Sequence, residues 1–230
     1  NRFIANAGVC TRREADKLIK KGLIRVNGEV VKEMGFKVKY TDTVQYEDRK
    51  LKAEKKVFVL LNKPKDTLTA AYDADGKRTV IDLVKMATKE HVHPVDKLSR
   101  DTTGVLLFTN DSEMAKRLTD SENGIKQIYH VTLDHSLAKT DYEVIMNGLE
   151  LKDGLIKPEV MSYVDEEDKK QIGIEIHSVK EKIVQRIFEH QGYKVVKLDR
   201  TYFGGLTKKN IGRGKWRILT DKEVNMLKML

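Results

Sequence analysis

Short apolar runs of strand length recur between residues 57 and 200, and they constrain the fold more than any other feature. They include VFVLL, VLLFT, IYHVTL, IGIEIHSV and YKVVKL, and their length and β-branched content are typical of strands. Helical patterns lie between them at residues 112–118, 141–149 and 181–190, and the strands outnumber these helices. The sequence therefore predicts an α+β domain built on a mixed or antiparallel sheet.

Residues 1–48 show a different organisation. Thr11, followed three residues later by Glu14, forms a capping box at the start of a short amphipathic helix. The dipeptide Asn27-Gly28 lies between two short apolar runs and predicts a type I′ hairpin. We expect a small helix-helix-hairpin domain here.

The run RKLKAEKK at residues 49–56 has high charge and no apolar periodicity, so we interpret it as a linker. This places a second, larger domain at residues 57–230. Two further capping boxes predict helix starts within it, at Thr140 with Glu143 and at Thr220 with Glu223.

The charge of the chain favours a polyanionic partner. The net charge is +9, and residues 1–55 hold 14 Lys and Arg against 8 Asp and Glu, so +6 of that charge lies near the N-terminus. The longest apolar run, VFVLL, is far shorter than the roughly 20 residues that span a bilayer. No membrane partner is therefore expected.

Cysteine and histidine usage limits the chemistry. Cys10 is the only cysteine, and the N-terminus lacks the pattern of a signal peptide, so we expect a cytoplasmic protein without disulfides. The six histidines show no metal-binding spacing, so we expect no metal site. Asn1 lies within a predicted helix, and we expect the native chain to begin before it.

Four strings in the sequence are similar to those of one known family. They are NRFIANAGVCTRREADKLIKKGLIRVNG, LNKPK at residues 61–65, DTTGVLLFTND at 101–111, and FEHQGYKVVKLDRTYFGGLT at 188–207, which GRGKWRILT follows. In this order and spacing they resemble the ribosomal RNA pseudouridine synthases that carry an N-terminal alpha-L RNA-binding domain. The resemblance covers almost the whole chain.

The resemblance implies a reaction. In the family, the N1 glycosidic bond of a uridine breaks, the uracil rotates, and C5 rejoins the ribose, without a metal or cofactor. An aspartate acts at the ribose, an arginine from a later segment pairs with it, and an aromatic ring stacks on the base. The target must be flipped out of the RNA stack. We therefore expect structured RNA, ribosomal in origin, as the partner of a monomeric protein.

The chain departs from the family at the reactive positions. The family pattern P-V-G-R-L-D-x-x-T-x-G corresponds to P-V-D-K-L-S-R-D-T-T-G, which places Ser99 at the aspartate. By the same register Gln185 replaces the arginine, whereas Tyr129 keeps the aromatic position. A serine hydroxyl stays protonated at neutral pH and is a poor nucleophile without an adjacent base.

We therefore expect an RNA-binding relative whose activity is lost or strongly weakened. The alternative is an active synthase that uses Asp96 or Asp101. Asp96 lies three residues before Ser99, about 10 Å away along an extended chain, and a carboxylate in the cleft beside Tyr129 would favour this alternative. A third hypothesis, compatible with the first, is an assembly factor that recognises a ribosomal intermediate.

Several cations match RNA-contacting positions of the family. An ordinary solvated helix face is the other interpretation of Arg12, Arg13 and Lys17, and a core tyrosine is the other interpretation of Tyr129. The chain also departs from the family at Asp66 and Val179, which replace glycines, and at Gln127, which replaces a lysine. The predicted RNA contacts are Arg12, Arg13, Lys17, Lys20, Lys63, Lys97 and Arg100.

Overall fold

The computed structural model describes residues 1–39, 41–52, 55–70, 78–120, 124–178 and 180–230. The chain divides into two compact units, Asn1–Lys56 and Val57–Leu230. No helix in these described ranges is long and apolar enough to cross a membrane.

The first unit contains two helices and, within its described residues, a four-stranded antiparallel sheet of order β2-β1-β3-β4. The predicted capping box is confirmed, because Thr11 Oγ1 accepts a hydrogen bond from the backbone N–H of Glu14. Asn27 and Gly28 have φ values of 52° and 89°, the signs that a type I′ turn requires. The elements are α1 (Arg2–Asn6), α2 (Arg12–Lys20), β1 (Ile24–Val26), β2 (Glu29–Val30), β3 (Val44–Tyr46) and β4 (Arg49–Leu51).

The predicted linker at residues 49–56 is wrong at its start, because residues 49–51 form strand β4. Arg49–Leu51 pairs with β3 through a tight turn at Glu47 and Asp48, whose φ values are both positive. The strand lies at the edge of the sheet, and Arg49 and Lys50 are exposed. Backbone hydrogen bonds hold such a strand without an apolar face, so its charged sequence did not reveal it.

The described part of the second unit forms a nine-stranded mixed sheet, as expected for the α+β class. Its order is β11-β12-β8-β13-β7-β5-β15, β13 and β7 are parallel, and β6 and β14 pair with β7 and β13. A separate hairpin joins β9 and β10. The strands are β5 (Phe58–Lys63), β6 (His93–Pro94), β7 (Thr103–Thr109), β8 (Gln127–Leu133), β9 (Leu149–Leu151), β10 (Gly154–Ile156), β11 (Val160–Tyr163), β12 (Gln171–Ile176), β13 (Val195–Phe203), β14 (Leu206–Thr207) and β15 (Trp216–Ile218).

Helices cover both faces of the central strands, which explains why VFVLL is apolar throughout. Val59 and Leu61 belong to a core with α3, α5 and α6, whereas Phe58 and Leu60 belong to a second core with α4 and α7. Successive strand residues point to opposite faces, so a strand buried on both sides needs no polar positions. These helices are α3 (Val80–Val84), α4 (Ser112–Leu118), α5 (Lys139–Asn147), α6 (Ile183–His190) and α7 (Asp221–Met229).

The two capping predictions in this unit have different outcomes. Thr220 caps α7 through its hydrogen bond from the N–H of Glu223, as predicted. Thr140 lies inside α5, whose N-cap is Ala138, so that prediction is wrong. The hydroxyl of Tyr193 accepts a hydrogen bond from the Ala138 N–H and donates one to the Asp141 carboxylate at 2.5 Å. A tertiary contact thus fixes the start of α5.

Candidate functional site

A cleft of about 470 Å³ in the second unit brings the predicted reactive positions together. This volume lies within the ~300–1,000 Å³ that is typical of small-molecule sites. The lining residues come from the turn before β7, the start of β8, and the segment that leads into α6. They include Asp96, Ser99, Gln127, Tyr129 and Gln185. Asp101 is not among the residues that line the cleft.

Ser99 is half-buried in the turn before β7, and its hydroxyl oxygen lies 2.5 Å from that of Thr102. Its carbonyl accepts a hydrogen bond from Lys63 Nζ at 3.1 Å. The described residues that line the cleft include no histidine that would act as a base for Ser99. The Ser99 hydroxyl is therefore held against Thr102 within this turn.

Lys63 was predicted to contact RNA, and its complete burial shows that this prediction is wrong. Its side chain is fully buried, and its ammonium donates hydrogen bonds to the carbonyls of Pro64, Ser99, Arg100 and Thr102 at 2.9–3.2 Å. Burial lowers the pKa of Lys63 to about 8, although the nearby carboxylates oppose this. Lys63 therefore holds the turn around Ser99 from within the protein and does not face solvent.

Asp96 forms an ion pair with Arg200, a residue of β13 that the sequence analysis did not single out. Nη2 of Arg200 donates to one carboxylate oxygen at 2.9 Å, and Nη1 donates to the other. Arg200 is completely buried and Asp96 is 15% exposed. Burial alone would lower the pKa of Arg200, but the charge of Asp96 raises it above its ordinary value. The guanidinium is thus held as a buried cation.

The position of Arg200 depends on a close approach between strands. Gly104 on β7 is paired with Arg200, and a Cβ there would collide with the Arg200 carbonyl. The φ of Gly104 is also +106°, a conformation that favours glycine. Nε of Arg200 donates to the Val105 carbonyl at 2.9 Å. The glycine of the DTTG string therefore sets the distance between the two central strands.

Tyr129 and Gln127 complete a hydrogen-bonded chain behind the cleft. The Tyr129 hydroxyl donates to Oε1 of Gln127 at 2.8 Å, and Arg200 Nη1 donates to the same oxygen at 3.0 Å. Gln127 Nε2 donates to the Ser178 carbonyl. Burial raises the pKa of Tyr129, and the phenol stays neutral. Tyr129 keeps its predicted place in the cleft, and the ring is largely buried.

Gln185 lies in the first turn of α6 and lines the cleft. Its Oε1 is buried and has no hydrogen-bond partner among the residues that the structure describes. The next residue, Arg186, instead forms a two-point ion pair with Asp153, which lowers the pKa of that carboxylate to about 2. Arg186, next to Gln185, therefore already has a carboxylate partner. Val179, the other departure in this segment, lies outside the described residues.

Cations line the opening of the cleft. Lys97 and Arg100 are exposed, as a phosphate contact requires. Arg100 also forms an ion pair with Asp66 at 3.2 Å, and Asp66 has φ of 58°, which explains why a glycine suits this position. Lys180 and Lys182, which were not predicted, line the cleft as well. A basic segment before a helix was visible in the sequence but was not assigned to the site.

The predicted cations of the first unit share helix α2. Arg12, Arg13, Lys17 and Lys20 are all exposed. The spacing of Arg13, Lys17 and Lys20 places these three on one face. The structure therefore presents a basic stripe on the surface of this unit.

Two family models match the chain. A model described as RNA pseudouridylate synthase matches residues 57–220, and the S4 domain model matches residues 1–44. The first covers most of the second unit, including every residue of the cleft described above. The second covers the basic stripe on α2.

Individual proteins are similar over nearly the full length. The ribosomal large subunit pseudouridine synthase B of Bacillus subtilis (strain 168) is 34% identical, over 100% of this chain and 95% of the relative. The ribosomal small subunit pseudouridine synthase A of Vibrio cholerae is 28% identical, over 97% and 96%. A crystal structure of a pseudouridylate synthase aligns with a TM-score of 0.67 at 26% identity, covering 98% of this chain and 96% of that structure.

Proposed function

Because this chain belongs to the RNA pseudouridylate synthase family, we propose that it binds ribosomal RNA and holds a nucleotide in its cleft, with isomerisation lost or strongly weakened. The observation that carries this proposal is that Ser99 has an uncharged, hydrogen-bonded side chain. It occupies the position of the family's acid, and its hydroxyl is hydrogen-bonded to Thr102 at 2.5 Å. The family reaction needs a negative group at the ribose, and this hydroxyl does not supply one.

Magnitudes support this conclusion. A carboxylate is ionised at neutral pH because its reference pKa is about 3.9, whereas a serine hydroxyl stays protonated. Activation of a serine requires a base within hydrogen-bond reach. The Ser99 hydroxyl is hydrogen-bonded to the Thr102 hydroxyl, and the Ser99 carbonyl accepts a hydrogen bond from Lys63. Neither Thr102 nor Lys63 is free to remove the proton of the Ser99 hydroxyl.

Asp96 supports a second candidate function. Its carboxylate lines the same cleft as Tyr129 and pairs with an arginine from a later segment, which are the roles that the family assigns to its aspartate, ring and arginine. The chain would then be an active synthase with a relocated acid. Asp101 does not line the cleft and is no longer a candidate.

The ion pair argues against Asp96 as the reactive acid. Arg200 engages both carboxylate oxygens, and attack on a ribose would require at least one of these charge-assisted bonds to break. Arg200 is completely buried, so it has no solvent to replace its partner. We propose that Asp96 serves as the counter-ion of Arg200 and not as the reactive acid.

RNA binding does not need the lost acid. The cations at the cleft opening and on α2 offer phosphate contacts to structured RNA, which add to affinity and make it depend on salt. A flipped base would meet Tyr129 in the cleft. Extrusion of a base costs a few kcal/mol, which stacking and phosphate contacts offset. We propose a cytoplasmic monomer that works without a cofactor, in which these contacts recognise a ribosomal RNA or an assembly intermediate.

A paired measurement of binding and isomerisation tests the proposal. Wild type, Asp96→Asn, Ser99→Ala and Glu181→Gln are incubated with large- and small-subunit ribosomal RNA transcripts. Retention on a filter reports binding, and chemical mapping reports pseudouridine. Glu181 is the matched control, because it is the other carboxylate that lines the cleft and is exposed. The Bacillus subtilis relative serves as the positive control.

The outcomes separate the candidates. Binding without pseudouridine in all four proteins is the expected result. Turnover by wild type that disappears only in Asp96→Asn, while urea denaturation shows that this variant is still folded under the assay conditions, would establish the relocated acid instead. Failure of wild type to bind either RNA would refute both functions.

A further inference from the structure

The segment between β2 and β3 presents a small apolar tip, residues 32–37, that the core of the first unit does not use. Val31 and Val38, at its two ends, pack against that core. Gly35 lies between them in a turn with φ of +85°, and a Cβ placed there would have no atom within 4 Å. The tip therefore extends away from its own unit.

Two apolar side chains flank this turn in solvent. Met34 is 42% exposed and Phe36 is 45% exposed. Single apolar residues on a surface are ordinary, but here two of them flank a glycine turn at the end of a projecting loop. An aromatic face in this position is free to stack on a base.

Lysines within the tip lie close to lysines at the end of α2. Lys32 and Lys37, within the tip, are exposed. The side chain of Lys32 lies over Gly22 at the end of α2, where a Cβ would come within 2.8 Å of Lys32 Cε. Lys20 and Lys21, which are also exposed, precede Gly22. The basic stripe of α2 thus continues onto the tip.

We propose that the tip binds an unpaired nucleotide of the same RNA, with Phe36 stacked on the base and Lys32 and Lys37 at the adjacent phosphates. This inference rests on the proposed RNA binding. The tip carries exposed Lys32 and Lys37 against the single exposed Glu33, and this charge favours RNA over an apolar protein surface, because RNA phosphates supply the counter-ions that an apolar surface lacks. Single-stranded RNA offers both the π-face and the phosphates that this arrangement fits.

The test uses the full chain and two probes, a short single-stranded oligouridine and a blunt RNA duplex of the same length. Phe36→Ala should weaken binding of the single strand by between about fivefold and a hundredfold, the range for loss of one stacked base. Phe36→Trp should retain the affinity. Val30→Ala is the matched control, because Val30 is an exposed apolar residue of the same unit outside the tip. It should bind as wild type does.

Salt dependence separates stacking from charge. Phe36→Ala should leave the slope of log affinity against log salt unchanged, whereas Lys32→Gln with Lys37→Gln should reduce it by about 0.7 for each lysine. Unchanged affinity in Phe36→Ala, an equal loss in Val30→Ala, or an equal loss on the duplex would overturn the inference. If charge reversal on α2 weakens RNA binding while Phe36→Ala leaves the affinity unchanged, the tip fails and the proposed function stands.

Discussion

The two units of the chain use charge in opposite ways. On α2 the cations are exposed, whereas at the cleft Asp96, which is 15% exposed, is paired with the completely buried Arg200. An exposed cation is available to a binding partner, and its replacement alone changes the stability of the fold little. A buried charge depends on its counter-ion, so replacement of one member of a buried ion pair favours a second substitution at the other member.

This difference bears on how the cleft of this chain departs from the family pattern. By the resemblance, Ser99 and Gln185 stand where the family has an aspartate and the arginine that pairs with it, so the two departures together remove one negative and one positive charge. Asp96 is the counter-ion of Arg200. We interpret these changes as one coordinated rearrangement, while the surface of α2 keeps its cations.

The largest expected effect is on the stability of the cleft. Asp96→Asn should lower the free energy of unfolding by about 3–5 kcal/mol, because it leaves the buried Arg200 without a counter-ion. Urea denaturation measures this change. The matched control is Asp101→Asn, an exposed carboxylate outside the cleft, which should change stability by no more than about 0.5 kcal/mol. Equal effects in the two variants would show that the pair does not stabilise the fold.

Charge reversal on α2 should affect binding and leave the fold intact. Arg12→Glu with Arg13→Glu should weaken ribosomal RNA binding on the order of tenfold and lower the salt slope by about 0.9 per lost phosphate contact. Thermal unfolding should shift little, because both positions are exposed. Lys222→Glu, an exposed lysine on α7, is the control. Unchanged affinity in the double variant would remove α2 as the anchor.

Two glutamines of the cleft should respond in opposite directions. Gln185→Leu should be neutral or stabilise the protein by about 1 kcal/mol, because its buried Oε1 has no partner among the described residues. Gln127→Leu should destabilise it by about 1–3 kcal/mol, because Tyr129, Arg200 and the Ser178 carbonyl lose their hydrogen bonds. Calorimetry of both variants tests this pair, and a loss in Gln185→Leu would indicate a contact that the account lacks.

The smallest effect is expected at Ser99. Ser99→Ala removes the hydrogen bond with Thr102 and should cost about 1 kcal/mol of stability. RNA affinity and pseudouridine formation should match those of wild type. A drop in pseudouridine formation would assign a catalytic role to the hydroxyl and contradict the account.

The sequence predicted the features that depend on neighbouring residues. The capping boxes at Thr11 and Thr220 and the Asn27-Gly28 turn are local, and the structure contains them. The start of α5 was wrong because it depends on Tyr193, which lies 52 residues beyond Asp141 in the chain. Strand β4 was missed because an edge strand needs backbone pairing and no apolar pattern.

The site shows the same limit. Family motifs indicated Ser99, Tyr129 and Gln185, which the structure brings to one cleft. Arg200 was missed because its partner Asp96 is 104 residues away and only the fold brings them together. An arginine within the strand-forming string YKVVKLDRTYF was the available signal, since a charged side chain that is buried requires a partner.

The most direct test of the central claim is tritium release from ribosomal RNA labelled at C5 of uridine, measured for wild type and for Ser99→Asp with Gln185→Arg. The account predicts no release above background for wild type and a clear gain for the double variant, because the substitutions restore the acid and its arginine. Robust release by wild type would contradict the account, because it would show that the cleft still carries out the family's reaction.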